Sequence, residues 1–323
     1  MRRIFRSALL ACAIVQAGPP GPALGQDVYP RRPVRLIVPF GPGGSTDIVG
    51  RVVALKLGDA MGQSVVVDNR AGAGSLLGID LAAKAQPDGY TFVIVTVAYA
   101  INPSMYKKLP FDPERDLTPV GMVASAPNLL VINPSLPANN LAEFVAAAKK
   151  AQYLYGSAGT GTPTHLAAEL FNAAAGLKLT HVPYKSGGAA LNDIIGGQVQ
   201  LMFAGIVSAI GFTRSGRLKA IALTGPVRSK IVPDVPTIAE SGYPGYEAVN
   251  WYSVLAPAGT PKAILDKVNG QLNVVLQKPD MIEALGRDGA EPVRTTPDAA
   301  KSYISGEIAK WRKVVQQAGV TAE

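Results

Sequence analysis

The strongest constraint on the fold of this 323-residue chain is an apolar run that leads through a glycine-rich turn into a helical pattern. The run VRLIVPF occupies positions 34–40, and the turn GPGGSTD follows at positions 41–47. Apolar residues then recur at helical spacing between positions 48 and 57, so the segment predicts a strand, a tight turn and a helix in succession. In open α/β sheets, ligands bind beyond the carboxyl ends of strands, which is where this turn is expected to lie.

The residues of this turn predict a binding site for a small anion. Gly43 and Gly44 allow the backbone to approach a ligand closely, and Ser45, Thr46 and Asp47 are residue types that begin helices. The unpaired N–H groups and the positive dipole end of a helix attract a carboxylate or a phosphate. The Gly-Lys-Ser/Thr ending of a phosphate-binding loop is absent, and a plain strand-to-helix connection stays open as the alternative interpretation.

A second segment has the same design. The stretch YGSAGTGTPTH at positions 155–165 predicts a strand end, a loop rich in glycine and hydroxyl groups, and a helix start. Pro163 suits the first turn of a helix, and Thr162 is a favoured N-cap residue. We expect the two loops to face each other across a cleft and to hold one anion from both sides. Two unrelated capped helices are the alternative.

Two further segments are expected beside the cleft. Tyr184 and Lys185 precede another helical pattern and are expected at the rim, with Lys185 either a charge partner or simply solvated. Ala204 and Gly205 end an apolar strand pattern and allow close approach of the backbone.

A third glycine-rich segment, NRAGAGSLLG at positions 69–78, is similar to a dinucleotide-binding fingerprint but places its last glycine one residue late. We interpret it as a tight turn that packs a helix closely on the sheet, with Asn69 and Arg70 holding the loop by side-chain hydrogen bonds to the backbone. Trp251 and Tyr252 are expected at a crossing between domains, either as packing residues of a hinge or as a wall of the cleft.

Strand and helix patterns alternate along most of the chain, which predicts βαβ units and mostly parallel sheets. The length that remains after the expected cleavage, 298 residues (323 − 25), favours two domains. Strand patterns lie at 65–67, 91–97, 128–132, 153–156, 180–183, 201–204 and 220–224, and helical patterns at 76–84, 141–151, 164–174 and 189–195. Three C-terminal helical patterns, at 263–277, 280–287 and 297–317, are expected to pack back on the first domain. The expected division is residues 26–125 with 251–323 for domain 1, and 126–250 for domain 2.

The N-terminus has the features of an export signal that covers residues 1–25. Arg2, Arg3 and Arg6 precede a short apolar stretch, and small residues precede an expected cleavage ahead of Gln26. A twin-arginine signal and a lipoprotein cleavage box ending at Cys12 are weaker alternatives. Cys12 is the only cysteine, so the mature chain is expected to have no disulfide, thiol nucleophile or thiolate metal site.

Charge and motif content argue against several classes of function. The formal net charge is +8, and removal of the three signal arginines leaves +5 (8 − 3), on scattered residues rather than in an arginine-rich tract with aromatics. We therefore expect no nucleic-acid partner. The histidines, His165 and His181, belong to no metal-binding pattern, so no metal site is expected. A serine hydrolase that uses Ser157, His165 and an acid stays open, although we expect His165 to brace its loop through a hydrogen bond.

Taken together, these segments resemble the exported substrate-binding proteins of tripartite tricarboxylate transporters, the Bug proteins. The matching stretches are YPRRPVRLIVPFGPGGSTD (29–47), VDNRAGAG (67–74), QPDGY (86–90), NPSMY (102–106), HVPYK (181–185) and LAPAGTP (255–261). They extend over essentially the whole mature chain. Ser186 departs from the family pattern, in which glycine follows the Tyr-Lys pair.

The resemblance implies a type II periplasmic-binding-protein fold, in which two α/β domains close on a ligand in the cleft between them. It implies no catalysis and no cofactor, a periplasmic location, a monomer, and membrane permease subunits as partners. Family ligands are dicarboxylates, tricarboxylates, acidic amino acids and aromatic acids. A ligand-dependent periplasmic sensor is the alternative among binding proteins.

By the family pattern, backbone amides and hydroxyls of the two loops bind the ligand. The implied residues are Gly43, Gly44, Ser45, Thr46 and Asp47 from one domain, and Ser157, Gly159, Thr160, Thr162, Thr164, His165, Ala204 and Gly205 from the other. Since the carboxylate of Asp47 would repel an anion, we expect it to cap its helix or to pair with Arg51.

Overall fold

The computed structural model describes residues 29–287 and 289–318. The predicted export signal, its cleavage site and Cys12 lie outside the described residues. Within those two ranges, no helix has both the length and the hydropathy that a membrane span requires.

The first part of the chain alternates strands and helices. The elements are β1 (Val34–Val38), α1 (Ser45–Met61), β2 (Val65–Asn69), a 3₁₀ turn (Ala73–Ser75), α2 (Leu76–Ala83), β3 (Thr91–Thr96), α3 (Val97–Met105) and β4 (Leu117–Ile132). α3 follows β3 without any loop, and β4 is 16 residues long.

The alternation continues to β8, after which helices predominate. The elements are α4 (Leu141–Ala148), β5 (Leu154–Ser157), α5 (Pro163–Ala175), β6 (Thr180–Pro183), α6 (Gly187–Ile195), β7 (Leu201–Gly205), α7 (Ile206–Arg214), β8 (Lys219–Leu223), β9 (Val249–Pro257), α8 (Lys262–Val275), α9 (Pro279–Arg287), β10 (Glu291–Pro292) and α10 (Pro297–Ala318). Each strand and helix predicted from the sequence overlaps one of these elements.

The strands form two parallel groups that are joined by antiparallel strands. Their order is β2-β1-β3-β9-β4-β7-β5-β6, with β8 and β10 also paired to β4. β1 pairs in parallel with β2 and β3, and β5 pairs in parallel with β6 and β7. β9 and β4, which pair antiparallel, lie between the two groups. The fold is therefore α/β, as the sequence predicts.

β4 is the strand that connects the two groups. Its first part pairs with β9, from Leu117 to Pro127, and its last five residues pair with β7 and β8. The sequence pattern identified only positions 128–132 of this strand. The domain boundaries expected at 125/126 and 250/251 fall within β4 and near the start of β9, and the division of the chain into domains stays a prediction.

The C-terminal helix α10 packs on α3 and on the middle strands. Ile304, Ile308 and Trp311 are buried against Tyr99 and Trp251. The carboxylate of Glu307 accepts hydrogen bonds from the indole Nε1 atoms of Trp251, at 3.0 Å, and Trp311, at 3.2 Å. Trp251 is thus a packing residue that holds α10 to β9. Packing is one of the two roles that the sequence left open for it.

The segment 69–78 has the packing role that the sequence predicts, with one correction. A Cβ atom at Gly78 would lie 2.7 Å from Cα of Pro39 and 2.8 Å from the carbonyl oxygen of Arg70, so only glycine lets α2 lie this close to the sheet. The side chain of Asn69 does bond to backbone, at the carbonyl of Phe40. Arg70 instead pairs with the side chain of Asp68, because that carboxylate lies beside it on β2.

Replacing Gly78 with alanine should lower the free energy of unfolding by roughly 1–3 kcal/mol, because backbone rather than a flexible side chain must move to admit the Cβ atom. Urea unfolding of the purified protein measures the change. The matched control is Gly270→Ala in α8, where a Cβ atom meets nothing within 4 Å. That variant should be unchanged or more stable by up to about 1 kcal/mol. Equal stabilities of the two variants would contradict the packing role.

Candidate functional site

A small cavity of about 40 Å³ lies where the first and second glycine loops meet. The side chains around it are uncharged. Its lining residues are Phe40, Gly44, Ser45, Thr46, Thr96, Asn128, Ala158, Thr162, Pro163, Thr164, Gly187, Met202, Gly205, Ser208 and Asn250. One water needs roughly 10–15 Å³ of such space, so the cavity has room for a group about the size of a carboxylate.

Five helices of the described part begin at this cavity. Their first residues or N-caps are in its wall: Ser45 for α1, Thr96 for α3, Pro163 for α5, Gly187 for α6 and Gly205 for α7. Each helix start carries a partial positive charge from its aligned peptide dipoles. The cavity is therefore electropositive although no lysine, arginine or histidine lines it.

Backbone donors at two of these helix starts have no partner among the described residues. At α1 these are the N–H groups of Ser45, Thr46 and Asp47, since the first bond into the turn is from Ile48 to Gly44. At α5 they are the N–H groups of Thr164 and His165. An oxyanion between the two helix starts would satisfy donors on both sides.

The hydroxyl groups of the second loop are used within the loop. The hydroxyl of Thr162 donates to the carbonyl of Gly159 at 2.6 Å and lies 3.0 Å from the hydroxyl of Thr164. Thr164 in turn accepts from the N–H of Ala158 at 2.9 Å. Thr162 occupies the N-cap position of α5 without accepting a capping bond, so these hydroxyls shape the loop and leave the backbone N–H groups of the helix free.

The two sides of the cleft touch around the cavity. The N–H of Gly41 donates to the carbonyl of Lys185 at 3.2 Å, and the hydroxyl of Ser45 donates to that of Ser208 at 3.1 Å. Ser186 caps α6 by accepting from Ala189, and its hydroxyl donates across the cleft to the carbonyl of Pro42 at 3.4 Å. The rim loop is thus an ordinary capped helix start, and the serine adds a contact that glycine lacks.

The structure separates the sequence-predicted site residues into three groups. Six of them line the cavity: Gly44, Ser45, Thr46, Thr162, Thr164 and Gly205. Two line an adjoining cavity of about 290 Å³ that also includes Lys185: Gly159 and Thr160. The remaining five line neither cavity: Gly43 is exposed, and Asp47, Ser157, His165 and Ala204 are buried. That these thirteen residues contact a ligand stays a prediction.

Asp47 is a buried carboxylate whose charge is balanced locally. It forms an ion pair with Arg51 at 2.9 Å and accepts hydrogen bonds from the N–H of Gly43 at 3.0 Å and the side chain of Asn69 at 2.9 Å. Burial alone would raise its pKa, but these donors outweigh burial and hold the pKa of Asp47 below its ordinary value. The expected pairing with Arg51 is confirmed. The capping alternative is wrong, because Gly44 is the N-cap and takes no side-chain bond.

The ring of the buried His165 stacks on that of the half-buried His181 behind the second loop. Their rings are 4.0 Å apart, and Nδ1 of His165 accepts from the N–H of Gly161 at 3.2 Å, which is the bracing bond that the sequence predicts. Ser157 lies 2.6 Å from Nε2 of His181, not beside His165 as the hydrolase alternative requires. Ser157 is completely buried, so the pair does not present a nucleophile to a substrate.

Sequence reasoning missed several residues of the cavity wall. Thr96 ends an apolar strand and caps α3. An apolar strand that leads to a hydroxyl residue at a helix start is also the pattern of the first glycine loop, but here the glycines are absent. Ser208 lies in α7, a helix that the sequence patterns did not identify. Asn128 and Asn250 lie on β4 and β9, at an end of their mutual pairing that only the strand register reveals.

The histidine stack predicts how stability depends on pH. Burial lowers the pKa of both His165 and His181 from 6.5 to about 4, and for His181 the neighbouring His165 lowers it further. The unfolded chain therefore binds more protons than the folded one between about pH 4 and 6.5. Stability should be full above pH 6.5 and fall as the pH drops through this window, with a slope approaching about 2.7 kcal/mol per pH unit for two protons.

Urea unfolding at pH 7, 6 and 5 measures this slope. His181→Gln keeps a hydrogen-bonding side chain beside Ser157 but cannot titrate, so it should roughly halve the slope. Carboxylates such as Asp47 contribute only near and below about pH 4, outside most of the window. An unchanged slope in the variant would mean that other groups cause the pH dependence.

Comparison with known proteins places this geometry in a family. The model of the tripartite tricarboxylate transporter family receptor matches residues 49–320. Protein BugT of Bordetella pertussis is 39% identical over 97% of both chains. The solved structure of the periplasmic binding protein BugD superposes with a TM-score of 0.89 at 35% identity, over 91% of this chain and 100% of that one.

Two ligand-bound structures are also similar to this chain. Rpa4515 of R. palustris, solved with adipate, has a TM-score of 0.88 at 36% identity over 91% of this chain and 99% of its own. MatC of Rhodopseudomonas palustris, with bound malate, has a TM-score of 0.85 at 32% identity over 89% and 100%. The two-domain α/β fold of periplasmic binding proteins is thereby confirmed. The chain belongs to the tripartite tricarboxylate transporter receptor family, whose members are periplasmic binding receptors of the Bug type rather than enzymes.

Proposed function

We propose that this protein is a periplasmic solute-binding protein that captures a small organic carboxylate and delivers it to the permease of a tripartite tricarboxylate transporter. The observation that carries the proposal is the group of five helix starts around an uncharged cavity. The carboxylate ligands of Rpa4515 and MatC, adipate and malate, support the ligand class. Export to the periplasm with cleavage ahead of Gln26, and action as a monomer, are part of the proposal.

The chemistry of the cavity favours an anion over other ligands. Free N–H groups at α1 and α5 are donors, and the helix dipoles add positive potential in a buried place where water screens it little. A cation would be repelled, and a neutral sugar would leave the potential uncompensated. Because Asp47 is neutralised by Arg51, the one buried carboxylate at the start of α1 does not cancel this attraction.

Binding from both sides couples ligand capture to closure of the cleft. The donors at α1 belong to one side and those at α5 to the other, so a carboxylate is fully bound only when the sides are together. A ligand that binds the closed form more tightly shifts the population towards it, and the closed form is the natural signal for a permease. A ligand-dependent sensor would use the same closure with another partner, and no contact in the structure favours it over transport. The geometry also gives no support to a hydrolase, since Ser157 is buried beside His181.

A ligand screen tests the proposal directly. The mature protein, refolded from denaturant to remove bound ligand, should be stabilised by at least one acid among monocarboxylates, dicarboxylates, tricarboxylates, acidic amino acids and aromatic acids. At about 100 times its dissociation constant such a ligand adds about 2.7 kcal/mol, a rise of a few degrees in thermal midpoint. The amide of the same acid should give no shift. Stabilisation by sugars or amides and by no acid would refute anion capture.

The closure step is tested at Gly188, which lies in the first turn of α6 opposite the first glycine loop. A Cβ atom there would lie 2.8 Å from the carbonyl carbon of Gly43 and 2.9 Å from its oxygen. Gly188→Ala should therefore keep the two sides of the cleft from closing fully. We expect the affinity for the acid found in the screen to fall at least tenfold, a loss of about 1.4 kcal/mol or more.

Gly196→Ala at the other end of α6 is the matched control, because its Cβ atom would meet only ordinary contacts, the nearest at 3.5 Å. It should bind like the unaltered protein. Thermal unfolding without ligand checks that both variants fold. Equal calorimetric affinities for the two variants would show that the contact between Gly188 and Gly43 has no part in binding.

A further inference from the structure

The 3₁₀ turn Ala73–Ser75, just before α2, has a backbone conformation that L-amino acids rarely adopt. The φ angles of Ala73, Gly74 and Ser75 are 45°, 62° and 92°. Among residues 29–287 and 289–318, Ala73 and Ser75 are the only residues other than glycine with a positive φ. Their Cβ atoms make this conformation unfavourable, and such strain persists only where surrounding contacts enforce it.

Contacts on the turn's own side of the cleft hold it only weakly. The hydroxyl of Tyr106 donates to the carbonyl of Ala73 at 3.4 Å, and Nδ2 of Asn102 donates to the hydroxyl of Ser75 at 3.3 Å. Both distances are longer than is usual for such hydrogen bonds. The N–H of Ser75 donates to the carbonyl of Gly72 at 3.1 Å, but this bond is local to the turn. Other contacts must therefore enforce the strain.

The second glycine loop packs more closely on the turn, from across the cleft. A Cβ atom at Gly74 would clash with the carbonyl oxygen of Thr160, and a Cβ atom at Gly159 would lie 3.5 Å from Cα of Gly74. The turn and this loop both line the adjoining cavity. The left-handed turn is thus shaped against the second loop, and the two would separate when the cleft opens.

We infer that this turn is a strained latch that opposes closure of the empty cleft. Closure presses it against the second loop in the left-handed conformation, and opening lets Ala73 and Ser75 return to ordinary backbone angles. The strain then belongs to the closed form alone, so it lowers the closed population of the protein without ligand. The inference rests on the part of the proposed function in which the cleft opens and closes, and it holds whichever ligand the cleft takes.

A pair of glycine variants isolates the strain. Ala73→Gly removes it at one residue, because glycine adopts a φ of 45° readily. Ala71→Gly is the matched control: Ala71 lies in the same loop without a positive φ, so the variant adds the same backbone freedom and relieves no strain. The difference between the two variants is therefore the strain at Ala73.

A disulfide across the cleft measures closure without any ligand. The hydroxyl oxygens of Ser45 and Ser208 lie 3.1 Å apart, so Ser45→Cys and Ser208→Cys together can form a disulfide only while the cleft is closed. Expression from residue 26 leaves out Cys12, so these are the only cysteines. The equilibrium constant for their oxidation by glutathione then reports the closed population.

This constant should be about fivefold larger in Ala73→Gly than in Ala71→Gly. In Gly74→Ala, whose added Cβ atom clashes with Thr160, it should fall about tenfold or more relative to the unaltered turn. Equal constants for Ala73→Gly and Ala71→Gly would overturn the inference, because the turn would then be strained in the open form as well.

Ser75 provides a second comparison, which decides if thermal unfolding shows that Ala73→Gly does not fold. Ser75→Ala removes the bond from Asn102 and keeps the Cβ atom, whereas Ser75→Gly removes both. After correction for the effect of an added glycine, measured with Ala71→Gly, the constant should again be about fivefold larger for Ser75→Gly. A corrected constant no larger than that of Ser75→Ala would contradict the latch.

Calorimetry on the same turn variants without the two cysteines separates this inference from the proposed function. The probes are the acids of the ligand screen, adipate and malate among them. An acid that binds the unaltered protein should bind Ala73→Gly about fivefold tighter than Ala71→Gly. Equal affinities would overturn the latch and leave the function standing. A disulfide constant raised in Ala73→Gly, with no acid bound by any variant, would support the latch and overturn the function.

Discussion

Backbone N–H groups left unpaired at helix starts are the constraint around which the rest of this molecule is arranged. An α-helix cannot satisfy its own first donors, and the structure brings five helix starts to one cavity instead of spreading them over the surface. Two come from the first parallel group of strands and three from the second. Parallel strands with connecting helices produce this arrangement, because the strands all end at one edge of the sheet and the helices that follow them begin at that edge.

The use of dipoles instead of charged side chains has a consequence for the nearby residues. A buried carboxylate at the start of α1 would compete with an anionic ligand, and Asp47 avoids this only because Arg51, Gly43 and Asn69 all donate to it. Asn69 also bonds to the carbonyl of Phe40, so one side chain connects β2, the first glycine loop and α1. These bonds fix the first glycine loop and at the same time balance the negative charge of Asp47.

Much of the fold follows from local sequence, and the site follows only in part. The strand, turn and helix at 34–57 and the loop at 155–165 are visible because glycine, hydroxyl and apolar positions lie next to each other in the chain. Asn128 and Asn250 are 122 positions apart (250 − 128) and meet only through the register of β4 with β9. The pairing of Ser157 with His181 rather than His165 is set by β5 and β6 lying side by side, where Tyr155 is level with His181.

In this arrangement, the stability of the closed form and the apparent affinity for a ligand are linked. The direct bonds across the cleft are neutral and 3.1–3.4 Å long, and bonds of this kind contribute only about 0.5–1.5 kcal/mol each. These bonds alone favour the closed form only slightly, and an anion that accepts hydrogen bonds from the N–H groups on both sides would add to them. A contact that stabilises the closed form raises its population without ligand, and the apparent affinity rises in proportion to that population. Ser186, where the family pattern has glycine, adds such a contact through Pro42 without lining the cavity, so under the proposed function we expect affinity to be set partly outside the cavity.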